Sequence, residues 1–290
     1  MNPSEANRGV ESDALLSLRF SCEKGKRPLQ VLRQDPPWRV VRSFQVNEQD
    51  CLAHIHNLSG GILSGDRLML RVQVDKGSRV QLTSAGATRI YRHREGRAAA
   101  RNGVCISVGE NAVLEYLPDQ IIPFARSRFF QETDVELSSD GAGLFWWETL
   151  TPGRAASGER FAYETLGIRS RIVCEGKPLA IDQFVIEPSR RSPQQVGMLG
   201  RFECCSTFYI CKTGLGPDKW TELQSLLEDE AESMSTPDLQ WGASRLVEHG
   251  IAVRGLGFQS ALLLGGLIRF WNIAKIYLYG REAVPPRKVN

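Results

Sequence analysis

Residues 57–74 read NLSGGILSGDRLMLRVQV, two glycine-punctuated turns that run directly into an alternating segment. Leu68, Leu70, Val72 and Val74 fall on one side of it, and Arg67, Met69, Arg71 and Gln73 on the other. A period of two marks a strand with one buried face. The chain therefore turns tightly at the glycines and enters a sheet. The glycines at 60, 61 and 65 match neither the G-x-G-x-x-G nor the G-x-x-x-x-G-K-[ST] phosphate loop, and a strand rather than a helix follows them. Their expected task is to supply positive φ at turns, which leaves Asp66 to be explained.

The same rhythm extends outward in both directions. From about residue 14 to 212, short apolar runs recur between turn motifs: DKGS at 75, VGEN at 108, SSDG at 138, TPGR at 151 and EGKP at 175. This spacing predicts a mainly β fold of many short strands, in one domain over residues 1–290, with no internal repeat. Helices are expected only in the C-terminal half. One is PDKWTELQSLLEDEAESM (217–234), with Pro217 in its first turn and Trp220, Leu223, Leu226 and Leu227 at helical spacing. The other covers 258–279, closed by Gly280 and the Pro285-Pro286 pair, with GIAVRGLG (250–257) as a strand between them. The second helix has the length of a membrane span, but Arg269, Asn272 and Lys275 would each be costly in lipid. A buried or partner-covered helix is the expectation, and no membrane.

With 36 basic against 33 acidic residues and a net charge of +3, global charge argues for neither nucleic acid nor a membrane surface as partner. The local exception is RIYRHREGRAAAR (89–101), a basic patch suited to an acidic protein partner or to plain solvation rather than to nucleic acid. Seven cysteines at irregular spacing, without C-x-x-C, are expected as reduced thiols. With an N-terminus lacking a secretory pattern, they point to the cytoplasm. His54 and His56 share one strand face and could hold a borderline metal, but two ligands make a weak site. No nucleophile elbow or Ser/Cys–His context occurs, so no catalytic residue is assigned. In AVLEYLP (112–118) and GLFWWETL (143–150), Glu115 and Glu148 have apolar neighbours on either register. Each must be paired, hydrogen-bonded, protonated or lining an aqueous path. As a pair they also leave open a β-helical enzyme acting on carbohydrate.

Six motifs occur in one order: NLSGGILSGDRL, QLTSAGATRIYRH, GENAVLEYLPDQIIPF, LFWWETLTPGRAASGERF, GIAVRGLG and AVPPRKV. The series resembles the UreD (UreH) family of urease accessory proteins from about residue 37 to the C-terminus, with 1–36 and 187–240 carrying little of it. The resemblance implies a noncanonical β-helix-like architecture with a few helices, no reaction of its own and no permanently bound cofactor. It implies binding to a UreF-like protein, through it to the GTPase UreG, and docking on apo-urease, so that nickel in transit follows a water-filled path. By that resemblance Asp66, Thr83, Ser84, Thr88, Glu115, Glu148 and Glu159 are expected to line the path or its network, with Arg154 as an ion-pair partner. Leu267, Phe270 and Trp271 of the last helix are expected to meet the UreF-like partner. SAGAT (84–88) stands where a TQAAT-like run is usual, and PPRKVN lacks the aromatic residue that often follows PPR.

Overall fold

The computed structural model describes residues 13–22, 28–46 and 50–286; residues 1–12 and the end of the AVPPRKV motif lie outside them. The described residues begin with β1 (Ala14–Phe20), β2 (Leu29–Gln34), β3 (Trp38–Arg39) and β4 (Ser43–Gln45). It continues through β5 (Asp50–Asn57), β6 (Arg67–Val74), β7 (Arg79–Ser84), β8 (Thr88–Ile90), β9 (Ala100–Val108), β10 (Val113–Tyr116) and β11 (Ile121–Pro123). Then come β12 (Arg128–Leu137), β13 (Gly143–Leu150), β14 (Thr165–Cys174), β15 (Lys177–Ile186) and β16 (Cys204–Lys212). Helix α1 (Pro217–Met234), strands β17 (Leu239–Arg245) and β18 (Gly250–Gly257), and helix α2 (Ser260–Tyr279) complete the described chain.

From β5 to β14 the long strands go alternately to two facing sheets. β5, β7, β10 and β13 lie parallel in one, and β6, β9, β12 and β14 lie parallel in the other. Each pair of strands is thus one coil of an irregular β-helix. The seven-stranded sheet is closed at its ends by antiparallel β15 and β2, with β1 parallel to β6. The eleven-stranded sheet continues beyond β13 through antiparallel β16, β18 and β17. Strands end at Val74, Val108, Leu137, Leu150 and Cys174, where the turn motifs read from the sequence begin. β17, LQWGASR, has mixed polarity and carried no strand expectation.

The sheets enclose two apolar layers because neighbouring residues of a strand point to opposite faces. Between the sheets lie Leu70, Val72, Val104, Val135, Leu144 and Trp146. On the far face of the larger sheet, Phe145, Trp147, Phe208 and Val253 meet the helices. This double burial explains why GLFWWETL is apolar on both registers, as strands covered on both faces are. On α1, Trp220, Leu223, Leu227 and Ala231 are buried, whereas Leu226, expected in the same stripe, is 45% exposed.

The expectation that Leu267, Phe270 and Trp271 meet a partner fails for those side chains. All three are fully buried against the chain's own sheet, with Trp147 edge-on to Trp271 at 5.9 Å. Burying an aromatic or leucine side chain is worth about 1.5–3 kcal/mol, so this face is already committed to the fold. What α2 leaves outward is Leu262, Leu264 and Ile276. By length and composition α2 could also cross a membrane.

Candidate metal path and its neighbouring pocket

On the inward face of β9, Asn102 takes a place in the alternating set of Ala100, Val104 and Ile106. On β12, Gln131 and Thr133 lie between Phe129 and Val135, and on β14 Ser170 lies between Ile168 and Ile172. Parallel register puts Gln131 beside Asn102 and, one inward-facing position further along, Thr133 beside Ser170, so two successive levels of the interior carry polar groups. Across from them β13 presents Glu148, on the same strand face as Trp146. Asn102 Nδ2 donates to Gln131 Oε1 at 3.0 Å, Gln131 Nε2 donates to Glu148 Oε1, and Ser170 Oγ donates to Glu148 Oε2 at 3.1 Å.

Asn102, Gln131 and Glu148 line a cavity of about 320 Å³ that reaches from buried Asn102 and Gln131 to the exposed Ala85 and Gly86. Such a volume has room for several waters, and its walls are polar enough to hold them. Asn102 Oδ1 is buried with no hydrogen-bond partner in the protein, an acceptor available to the cavity. Burial pushes the Glu148 carboxyl up to about 7, against the bonds from Ser170 and Gln131 and with help from the charge of Asp182. Near neutral pH this carboxyl is poised between its two protonation states.

The residues singled out in the sequence fall into three places. Ser84 and Thr88 line the same cavity as Glu148, and Ser84 Oγ donates to Asp119 Oδ2 at 3.2 Å while accepting from Asp119 N at 2.8 Å. Thr83 and Glu115 lie on the other face of the sheet. Thr83 Oγ1 donates to Leu117 O at 2.6 Å, and Glu115 pairs with Lys275 of α2 at 2.6 Å while accepting from Gln81 Nε2 at 3.1 Å. Burial raises the Glu115 carboxyl despite the pull of the Lys275 ammonium. Glu115 and Glu148 therefore do not face one another, and a carbohydrate-cleaving pair is not formed.

Asp66, Glu159 and Arg154 line a separate pocket of about 880 Å³. There Asp66 Oδ2 accepts from Leu63 N at 2.8 Å and closes the LSGD turn, which answers for its presence. Burial raises its carboxyl. Arg154 Nε donates to Glu159 Oε2 at 2.9 Å, the bond that holds Glu159 below the usual carboxylate range. Gly60 and Gly65 have the expected positive φ, whereas Gly61 is needed for space. A Cβ there would stand 2.5 Å from Arg89 O and 2.6 Å from Tyr91 Cε2.

His54 and His56 share the face of β5 opposite Ala53 and Ile55, and His54 packs edge-on to Phe44 at 6.0 Å. Among the described residues no group of three or more His, Cys, Asp or Glu could hold a metal ion. All seven cysteines are free thiols. Asn102, Gln131, Ser170 and Asp119 were missed in the sequence. For the first three the available signal was parity, since each shares its alternating set with buried aliphatic residues.

Over residues 12–290 the chain matches the family model described as UreD urease accessory protein. This chain belongs to the UreD family. It is similar to the urease accessory protein UreD of Herpetosiphon aurantiacus, with 37% identity over 275 residues, 94% of this chain and 95% of that relative. It is similar at 26% and 27% identity to UreD proteins of two Staphylococcus aureus strains, over 242 residues, 82% of this chain and 85% of each. The UreD match extends through residues 187–240, where the short motifs carried little.

Proposed function

We propose that this chain works with a UreF-like protein and the GTPase UreG in the cytoplasm, and that nickel bound for apo-urease passes through the Glu148 cavity. The observation that carries the reading is the Glu148 carboxylate, held by an amide and a hydroxyl, inside a cavity that extends to the surface and is also lined by Asp119. Oxygen donors of this kind attract a divalent ion without the grip of thiolate or imidazole clusters, which suits an ion that must leave again. A carboxyl raised to about 7 makes metal and proton competitors for the same oxygens, so metal binding there weakens as pH falls. Gln131 and Ser170 fix the carboxylate, and Asn102 offers a further oxygen. The chain carries cargo and performs no reaction. With the inner stripe of α2 committed to the sheet, its outward residues Leu262, Leu264 and Ile276 are the face left for the UreF-like partner.

The test is to compare Glu148→Gln with Asp66→Asn in the co-expressed assembly, measuring soluble complex yield and nickel per urease. Glu148→Gln keeps the shape and removes the charge, so yield should hold while nickel loading falls several-fold. Asp66→Asn keeps an oxygen for the Leu63 amide and should leave loading unchanged. Normal nickel per surviving complex in Glu148→Gln would overturn the path.

A further inference from the structure

Of the basic motif at 89–101 only Arg89 lines the Glu148 cavity, and the structure gives the rest a definite form. The segment that carries it is pinned to its surroundings by its backbone. Tyr91 N donates to Ile62 O at 2.9 Å, His93 N to Arg126 O at 2.8 Å, and Arg94 N to Ser64 Oγ at 3.1 Å. This fixed frame presents Arg92, Arg94, Arg97 and Arg126, all exposed, to the 880 Å³ pocket. The pocket's other charges are already used at home. Arg154 holds Glu159, Arg67 holds Asp13 at 2.8 Å, and Asp66 caps the Leu63 amide. Among the described residues no carboxylate pairs with Arg92, Arg94, Arg97 or Arg126. The pocket thus has four uncommitted guanidinium groups on an ordered frame.

We propose that this pocket docks an acidic segment of a partner protein in which apolar residues alternate with carboxylates. Guanidinium groups match carboxylates in geometry as well as charge. The pocket also has an apolar floor, with Tyr91 edge-on to Phe124 at 5.2 Å and Leu63 beside them, which gives alternate side chains somewhere to go. Its volume lies in the range that holds a sizeable ligand, far beyond what one phosphate fills. No run of glycine amides or helix of two turns or more opens onto it among the described residues, as a phosphate site commonly has. Residues 60–66 form the wall between this pocket and the cavity, Gly61 and Ile62 lining the cavity and Leu63 to Asp66 the pocket. A docked segment would therefore sit beside the cavity, across the wall of residues 60–66. The inference stands apart from the metal path, and its failure would leave that reading untouched.

The experiment is fluorescence anisotropy of the full chain with a labelled peptide of alternating Glu and Leu, and with a Lys-Leu counterpart. The acidic peptide should bind, and more weakly as ionic strength rises. Affinity should fall by at least about tenfold in Arg94→Glu/Arg97→Glu and hold in Arg190→Glu/Arg191→Glu, a basic pair outside the pocket. Circular dichroism establishes that both variants stay folded, as is expected of exposed positions. No binding, equal binding of the Lys-Leu peptide, equal loss in both variants, or displacement by micromolar pyrophosphate would overturn the proposal.

Discussion

Glu115 and Glu148 stand on neighbouring parallel strands, each in an apolar stretch, and the two faces of one sheet give them different chemistry. Glu115 looks toward the helices, where it meets an ammonium group at 2.6 Å and the Gln81 amide, in a gap of about 20 Å³. Glu148 looks into the coil, where its hydrogen-bond partners are a neutral amide and a hydroxyl, beside about 320 Å³ of space. The first carboxylate holds a helix to a sheet. Among the described residues the second has no salt-bridge partner, and it has room for water, the condition under which a carboxylate can exchange protons or cations.

The largest effect that would sharpen this contrast is on the Glu115 side. Lys275→Met strands a buried carboxylate and should cost about 3–5 kcal/mol in urea unfolding. Adding Glu115→Leu should recover most of that loss, because an apolar pair of similar volume needs no charge balance. If Lys275→Met alone were neutral, the two carboxylates would be less different than the geometry makes them.

On the Glu148 side the sign reverses. Its folded carboxyl titrates near 7 rather than the ordinary 4.5, so between those values the folded state binds more protons than the unfolded state. The stability it contributes is full below about 4.5 and is lost as pH rises through about 7. Glu148→Gln removes that slope. The variant should be more stable than the parent at about pH 8, by up to about 3 kcal/mol, and level with it in acid. Thermal unfolding across the pH range reads this directly, and a less stable variant at high pH would break the comparison.

The smallest effect tests what holds Glu148. Ser170→Ala deletes one donor to the carboxylate and should move the pH midpoint of that stability loss upward, by no more than about one unit, at a cost of about 1 kcal/mol in alkaline buffer. An unmoved midpoint would mean that Gln131 alone holds the carboxylate.

Strand parity marks where the sequence stopped being legible. The turn motifs delimit the strands, and Pro217 and Gly280 bracket the helices, because these signals are local. Which way Glu115 and Glu148 point is not local. Both faces of their sheet are covered, so Phe145 and Trp147 are as apolar as Leu144 and Trp146, and only the pairing of distant strands assigns them to helix layer or interior. Asn102 and Gln131 stayed hidden for the complementary reason, since polar residues in an alternating strand ordinarily read as solvent-facing until the coil closes over them. Leu267, Phe270 and Trp271 were recognised as an interface but given the wrong partner, because an apolar helix face cannot say whether its own sheet or another chain covers it.

The coil itself has a kinetic consequence. Paired residues on adjacent parallel strands of the larger sheet stand 29 positions apart from β5 to β7, 34 from β7 to β10 and 30 from β10 to β13, as Asp50 and Arg79, Gln81 and Glu115, and Val113 and Gly143 do. No parallel strand between β5 and β14 can find its neighbour by a short hairpin, so each coil must wait for the next stretch of chain and close a long loop before any ladder bond repays the entropy. Folding of this chain should therefore be slow for its size, with apolar strand faces and open sheet edges exposed to other molecules while the last coils and α2 are still on their way.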